Sequence, residues 1–294
     1  MLNEQFARFP IRRIPLVCFL VGVLTGSIFI PSPLLRSQSR LALANSVKIS
    51  TRVHQVELFE TNHLKKKQSA VLHYCGGDTY AGIANLSLLN TREYAYSQGL
   101  EVLVANSSSL PTEPFFTPKA WLKLAFMLQI FQQYHHDWLI WLDCDVLVTK
   151  LNTTLEQTLG GLNVSTLHDI VVAKDIGTSP FNTGVMFVRA NQWSKDTVAR
   201  ALRYASEKAV REHAFWEQKA LHLLYTENKH QEQEKILIVE DRWRMNAFAS
   251  LNEERPESFA WHRVNCRKKD VCDKTFKNKF CQIHPLSCAP GWVW

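Results

Sequence analysis

The residues of this chain best suited to chemistry are Asp143 and Asp145, which flank Cys144 directly after the apolar run Trp138-Leu-Ile-Trp-Leu142. A short bulky run of that kind fits a buried strand. The two carboxylates then emerge at the strand's carboxyl end, the edge at which open α/β sheets bind ligands. Paired carboxylates there make a hard oxygen site, suited to Mn²⁺ or Mg²⁺ beside a diphosphate. An Asp-x-Asp is by itself a common solvated strand ending, so its weight depends on the rest of the chain.

Other residues carry complementary chemistry. Asn182-Thr-Gly184 follows Pro180 and reads as a turn ahead of a strand. Gly184 can let the backbone approach a ligand closely, and Asn182 offers both a donor and an acceptor to ligand hydroxyls. Asp175 ends a strand of its own. Glu217 and Gln218 open a predicted helix, a place where glutamate is also favoured by the helix's positive end. His262, after Phe259-Ala-Trp261, can line a pocket. His135-His136-Asp137 reads instead as a helix-to-strand turn, since adjacent residues seldom converge on one ion.

The elements that must position these groups alternate. Strands are predicted at 70–74, 100–105, 138–142, 170–173, 184–189 and 236–240, with a short last one at 280–283. Helices are predicted at 83–98, 118–134, 192–208 and 215–227, the first ended by Gly99. This order implies an α/β fold with a mainly parallel, mixed sheet covered on both faces. No Gly-x-Gly-x-x-Gly or other phosphate-cradling loop occurs, so a bound nucleotide would be held through a metal.

Residues 14–30 form an uncharged apolar run preceded by Arg8, Arg12 and Arg13. It is short for a membrane span but within range, and basic flanks stay cytoplasmic. The expected organisation is a cytoplasmic tail at 1–13, a transmembrane signal anchor at 14–30, a stem at 31–68 and a lumenal domain at 69–294. A cleavable signal peptide ending at Ala42-Leu-Ala44 is the alternative, opposed by the intervening Arg36 and Arg40. Asn85, Asn106, Asn152 and Asn163 head N-glycosylation tripeptides. Cys266, Cys272, Cys281 and Cys288 crowd the C-terminus without the Cys-x-x-Cys pairs of zinc sites, which favours disulfides of open connectivity. Cys75 and Cys144 read as buried thiols. The formal net charge of +7 comes partly from the membrane flank and from Lys65-Lys-Lys67 in the stem. The basic stretch Arg263–Lys279 can face a diphosphate, and nucleic acid is not an expected partner.

The order of motifs resembles the galactosyl- and mannosyltransferase family that includes yeast Golgi α-mannosyltransferases and plant xyloglucan xylosyltransferases, glycosyltransferase family 34. The matching segments are Leu89-Asn-Thr-Arg-Glu-Tyr-Ala95 before Gly99, Trp121-Leu-Lys123, Trp138 through Asp145, Phe181 through Arg189 with Trp193, Glu217-Gln218, and Gln282-Ile-His284 ahead of Cys288. The resemblance spans residues 69–288 and implies a GT-A fold, a Rossmann-like nucleotide-diphospho-sugar transferase domain. It implies Mn²⁺ as cofactor, with Mg²⁺ as a substitute, and transfer with retention of anomeric configuration. It also implies a UDP- or GDP-sugar donor, a glycan acceptor, and type II anchoring in the Golgi membrane, with a homo- or hetero-oligomer with other Golgi transferases as an option.

Site roles follow from the same resemblance. Asp145 and His284 ligate the metal together with Asp143, which also contacts the nucleotide. Asn182, Gly184 and Lys123 bind the donor, and Gln218 and Glu217 lie beside the reacting sugar; Asp175, from its place at a strand end rather than from the resemblance, is a further donor contact. Two departures stand out. The family usually carries an aspartate where Glu217 stands, and His284 is followed by Pro285-Leu-Ser rather than small, Gly-rich residues. The leading expectation is a Mn²⁺-dependent glycosyltransferase forming an α-linkage. A glycoside hydrolase, which also uses paired carboxylates, and a non-catalytic lumenal glycan-binding protein are the alternatives.

Overall fold

The computed structural model describes residues 69–76, 80–105, 119–133, 136–264 and 268–288 of the chain. The expected tail, anchor and stem lie outside the described residues, as do Asn106, His135 and Cys266. Among the described residues no helix is long and apolar enough to cross a membrane.

The chain runs β1 (Ala70–His73), α1 (Ala84–Gln98), β2 (Glu101–Val104), α2 (Leu122–Gln133), β3 (Trp138–Leu142), β4 (Val146–Val148), α3 (Leu155–Gly161), β5 (Ile170–Lys174) and β6 (Phe181–Arg189). It continues through α4 (Gln192–Arg203), α5 (Lys208–Arg211), α6 (Trp216–Glu227), α7 (Glu232–Lys235), β7 (Ile236–Val239), β8 (Ala247–Phe248), β9 (Ala260–His262) and α8 (Lys269–Ile283). Six strands form one sheet in the order β2-β1-β3-β6-β5-β7. Its neighbours are parallel except that β6 runs antiparallel to both β3 and β5.

β3 is buried at every position because both faces of the sheet are covered. Leu139 and Trp141 point to the face packed by α2, α4 and α6, where Leu72, Val172 and Met186 join Phe126, Val198 and Leu221. Ile140 and Leu142 point to the other face, where Val71, Val171 and Phe187 meet Tyr94 of α1, Leu155 of α3 and Val148 of β4. The two-residue period of the strands thus divides the core in two. Local signals fix several ends. Gly99 closes α1 in the left-handed conformation, and Thr154 with Gln157 forms a capping box at α3.

Two departures from the sequence-based elements shape the site. Asn182, Thr183 and Gly184 do not form a turn; they lie inside β6. They lie at an irregularity, because pairing with β5 jumps from Val172↔Met186 to Ala173↔Asn182. The second is a small extra sheet, β4-β9-β8, which the motif reading did not include. Its strands have only two or three residues, too few to show a period. The expected strand at 280–283 is the end of α8, where Cys272, Phe276 and Phe280 are buried at four-residue spacing.

Cys75 and Cys144 are not free thiols. The parallel register that pairs His73 with Leu142 continues past the strand ends to a Cys75–Cys144 disulfide. Cys281 pairs with Cys288, and Cys272 is also disulfide-bonded.

Candidate active site

β3 ends at Leu142, and the chain then turns: the Asp143 amide donates to the Gly184 carbonyl at 2.8 Å, and the Val146 amide to the Asp143 carbonyl at 3.0 Å. β4 follows at once and pairs antiparallel with β9, placing Val146 opposite His262. The Arg263 amide closes the pairing by donating to the Asp145 carbonyl at 3.0 Å. Strand pairing therefore delivers His262 to the two aspartates. One ligand atom from each of Asp143, Asp145 and His262 lies within 4.8 Å of the other two. His262 Nε2 is 3.3 Å from Asp145 Oδ1. Burial alone would raise the Asp145 pKa, but His262 and Arg263 outweigh it and hold the carboxyl below its usual value.

The structure does not bring the expected third ligand to the aspartates. His284 is buried at the end of α8, but both its ring nitrogens are engaged elsewhere. Nδ1 lies 2.8 Å from Glu93 Oε2, and Nε2 lies 2.9 Å from Asn90 Nδ2. Asn90 in turn is clipped to Val148, accepting from its amide at 2.7 Å and donating to its carbonyl at 3.0 Å. His284 pins α8 to α1 and, through Asn90, to β4. His262 takes the place at the aspartates because its strand pairs with the segment that carries them.

Lys123 links the aspartates to the second half of the site. It is buried in α2, neither on the surface nor free for a phosphate. Its ammonium meets Asp143 Oδ1 at 3.0 Å, Glu217 Oε1 at 2.9 Å and the Thr183 carbonyl at 2.9 Å. Burial pulls its pKa down, yet the two carboxylates more than offset this and keep it charged. Asp143 Oδ1 also accepts from Trp141 Nε1 at 2.6 Å. The Glu217 pKa is raised, first by burial, against the opposing pull of Lys123.

Gln218 is fixed at both ends. Its Oε1 accepts from the Thr183 amide at 3.0 Å, and its Nε2 donates to Asp175 Oδ2 at 2.8 Å and Ser179 Oγ at 3.0 Å. Asp143, Lys123, Glu217, Thr183, Gln218 and Asp175 thus form one continuous polar network. The structure brings together every proposed site residue except His284. It adds Thr183, the middle residue of Asn182-Thr-Gly184, and Ser179 and Asn246, which no motif includes. It adds Tyr80 as well: the field of Asp145, followed by burial and Asp143, raises its phenol pKa.

The donor set fits a divalent ion. Two carboxylates and an imidazole are a ligand set for Mn²⁺ and its neighbours. Gly184 clears room for the imidazole, since a Cβ there would fall 2.2 Å from His262 Cε1.

Residues 72–171, about a third of the chain, match the model of the galactosyl transferase GMA12/MNN10 family, the family that the motifs resemble. No curated protein sequence matches significantly. Among solved structures, a glycosyltransferase involved in glycosylating the major capsid of PBCV-1 matches with a TM-score of 0.58 at 17% identity, covering 71% of this chain and 99% of that one. GlyE of Streptococcus pneumoniae TIGR4 matches with a TM-score of 0.44 at 15% identity, covering 78% and 66%. The galactosyltransferase LgtC, solved with donor and acceptor sugar analogs, matches with 0.43 at 14%, covering 76% and 98%. At such identities the likeness shows the fold alone, and only the first is near enough in shape to bear on it. The fold is GT-A-like with a mixed α/β sheet, and the family match with the fold points to a glycosyltransferase.

Proposed function

We propose that this protein is a metal-dependent, retaining glycosyltransferase that moves a hexose or pentose from a nucleotide-diphosphate sugar to a glycan acceptor, forming an α-linkage. The observation that carries the reading is the convergence of Asp143, Asp145 and His262 at the carboxyl end of β3. Mn²⁺ held there, or Mg²⁺ in its place, would neutralise the departing diphosphate. The side chains around it prepare the other half of the reaction. Lys123 holds Asp143 and Glu217 in place from within the core. Gln218 is presented at the start of α6 with its amide orientation set by Thr183 and Asp175.

Retention through a double displacement would need a free carboxylate beneath the anomeric carbon. Glu217 Oε1 is held by Lys123 and Thr183, and Asp175 accepts from Gln218 and from the Ile176 amide. Gln218 is an amide. These engagements favour attack by the acceptor hydroxyl on the same face from which the diphosphate leaves. The new C–O bond forms as the bond to the diphosphate breaks, and the hydroxyl proton passes to the departing phosphate oxygen. The compartment we propose is the Golgi lumen, with residues 14–30 as a type II signal anchor. The disulfides suit an oxidising compartment, and the sequon asparagines Asn85, Asn152 and Asn163 are exposed.

The test is a donor screen on the full-length chain in detergent. UDP-galactose, UDP-xylose, UDP-glucose and GDP-mannose are each incubated with Mn²⁺ or with EDTA, and released nucleoside diphosphate is measured. Mn²⁺-dependent release from one donor, lost in Asp145→Ala, is the expected result. A folded protein that releases nothing and binds no nucleotide with Mn²⁺ would return the site to a hydrolase or a glycan-binding role.

A further inference from the structure

We infer that Asn182 and Asn246 fix a hydrogen on His262 Nδ1, so that Nε2 is the ring nitrogen turned to the aspartates. This rests on the metal-dependent reading of the site only for its consequence; the tautomer itself follows from the hydrogen bonds.

The chain of assignment begins at a backbone group whose role is certain. The Gly184 amide can only donate, so the Asn182 atom 2.8 Å away is the acceptor Oδ1. That same oxygen faces Asn246 at 3.0 Å, so the Asn246 atom there is the donor Nδ2. The remaining amide atom of Asn246 is then its oxygen, which lies 3.1 Å from His262 Nδ1. An amide oxygen accepts, so Nδ1 carries a hydrogen and donates it. Asn246 is fully buried and His262 nearly so, so bulk solvent does not compete for these bonds.

The consequence appears at the other ring nitrogen. Nε2 faces Asp145 Oδ1 at 3.3 Å, so it is the nitrogen through which the ring would reach an ion held by the aspartates. Gly184 serves twice: its amide starts the relay, and its missing side chain leaves space for the imidazole that ends it. Asn182 changes role accordingly. Both lone pairs of its Oδ1 are taken by Gly184 and Asn246, which leaves only Nδ2 for a ligand. Asn246 is thus a positioning residue that acts through His262, of the kind whose loss weakens metal affinity by about 10–100-fold.

The deciding experiment needs no metal. The full-length chain, labelled with ¹⁵N-histidine, is held in detergent with EDTA. The His262 resonances are identified by their loss in His262→Gln. A hydrogen on Nδ1 is the expected result; an Nδ1 without one, or an average of the two tautomers, would overturn the relay. Asn246→Ala, checked for folding by circular dichroism, should release the tautomer and weaken Mn²⁺ binding by about 10–100-fold in calorimetry. Unchanged tautomer and unchanged affinity in that variant would also overturn it. If the wild type shows the fixed tautomer but binds no Mn²⁺, the relay stands and the metal reading falls. Should Asn246→Ala not fold, the wild-type spectrum alone decides.

Discussion

Lys123 shows how much one side chain can hold. Its three donors are all spent, on Asp143, Glu217 and the Thr183 carbonyl, and none is left for solvent. Lys123→Met would leave the buried Glu217 carboxylate, and the part-exposed Asp143, without their counter-ion, a change that costs about 3–5 kcal/mol. We expect a clear fall in the unfolding midpoint by urea titration together with loss of transfer; an unaltered midpoint would mean the network is not ionised as drawn. Gly184→Ala tests the opposite kind of requirement, empty space. A methyl group 2.2 Å from His262 Cε1 must displace the ring, so Mn²⁺ affinity should drop while the secondary structure by circular dichroism stays. Asp145→Ala and His262→Ala should each lower turnover by orders of magnitude. His284→Ala should not: it is expected to cost stability but leave Mn²⁺ affinity intact, and a collapse of affinity would restore it as a ligand.

At the level of elements, the site is built where regular structure stops. The β6 irregularity lets Asn182, Thr183 and Gly184 face Asn246, Gln218 and Asp143 within three residues. The turn after β3 is held against β1 by the Cys75–Cys144 disulfide, whose cysteine lies between the two aspartates. Adjacent parallel strands are tied only by their ladder, which ends at His73 and Leu142. The disulfide extends the tie into the loops that carry the ligands. Closing a loop with a sequence separation of 69 stabilises the fold by about 4 kcal/mol in the chain-entropy picture. Replacing both cysteines with serine should therefore lower the thermal midpoint markedly. If the tie also shapes the turn, Mn²⁺ affinity falls with it when measured at a temperature where the variant remains folded.

The whole molecule carries an acid sensitivity that its buried histidines predict. His73 is held neutral, its pKa lowered to about 4 by burial and then by Arg92. His222 is likewise lowered to about 4, chiefly by burial. Unfolding exposes both, and the freed imidazoles take up protons below their ordinary value of about 6.5. Stability from these groups is thus complete above about pH 6.5 and is lost as the pH falls toward about 4. Thermal midpoints should decline across that window, and His73→Gln should flatten the decline; a flat profile in the wild type would contradict the burial of both rings.

Much of this molecule was legible from its sequence. Trp138–Leu142 is apolar throughout because β3 is covered on both faces, and that apolar run alone marks Asp143 and Asp145 as lying at a carboxyl edge. Alternating periods announced the mainly parallel sheet, and short motifs in order pointed to the family. The amino-acid order could not say which histidine joins the aspartates. His284 had the motif and His262 has the geometry, because a three-residue strand too short to show a period pairs β9 with β4. Nor could it show that Cys144 bonds to Cys75, that Lys123 is buried between two carboxylates, or that Asn246 orients an imidazole. Local patterns report which faces are apolar and where elements end. Pairings between residues far apart in the chain are decided by the register of strands and the close packing of the core, and those exist only in the folded structure.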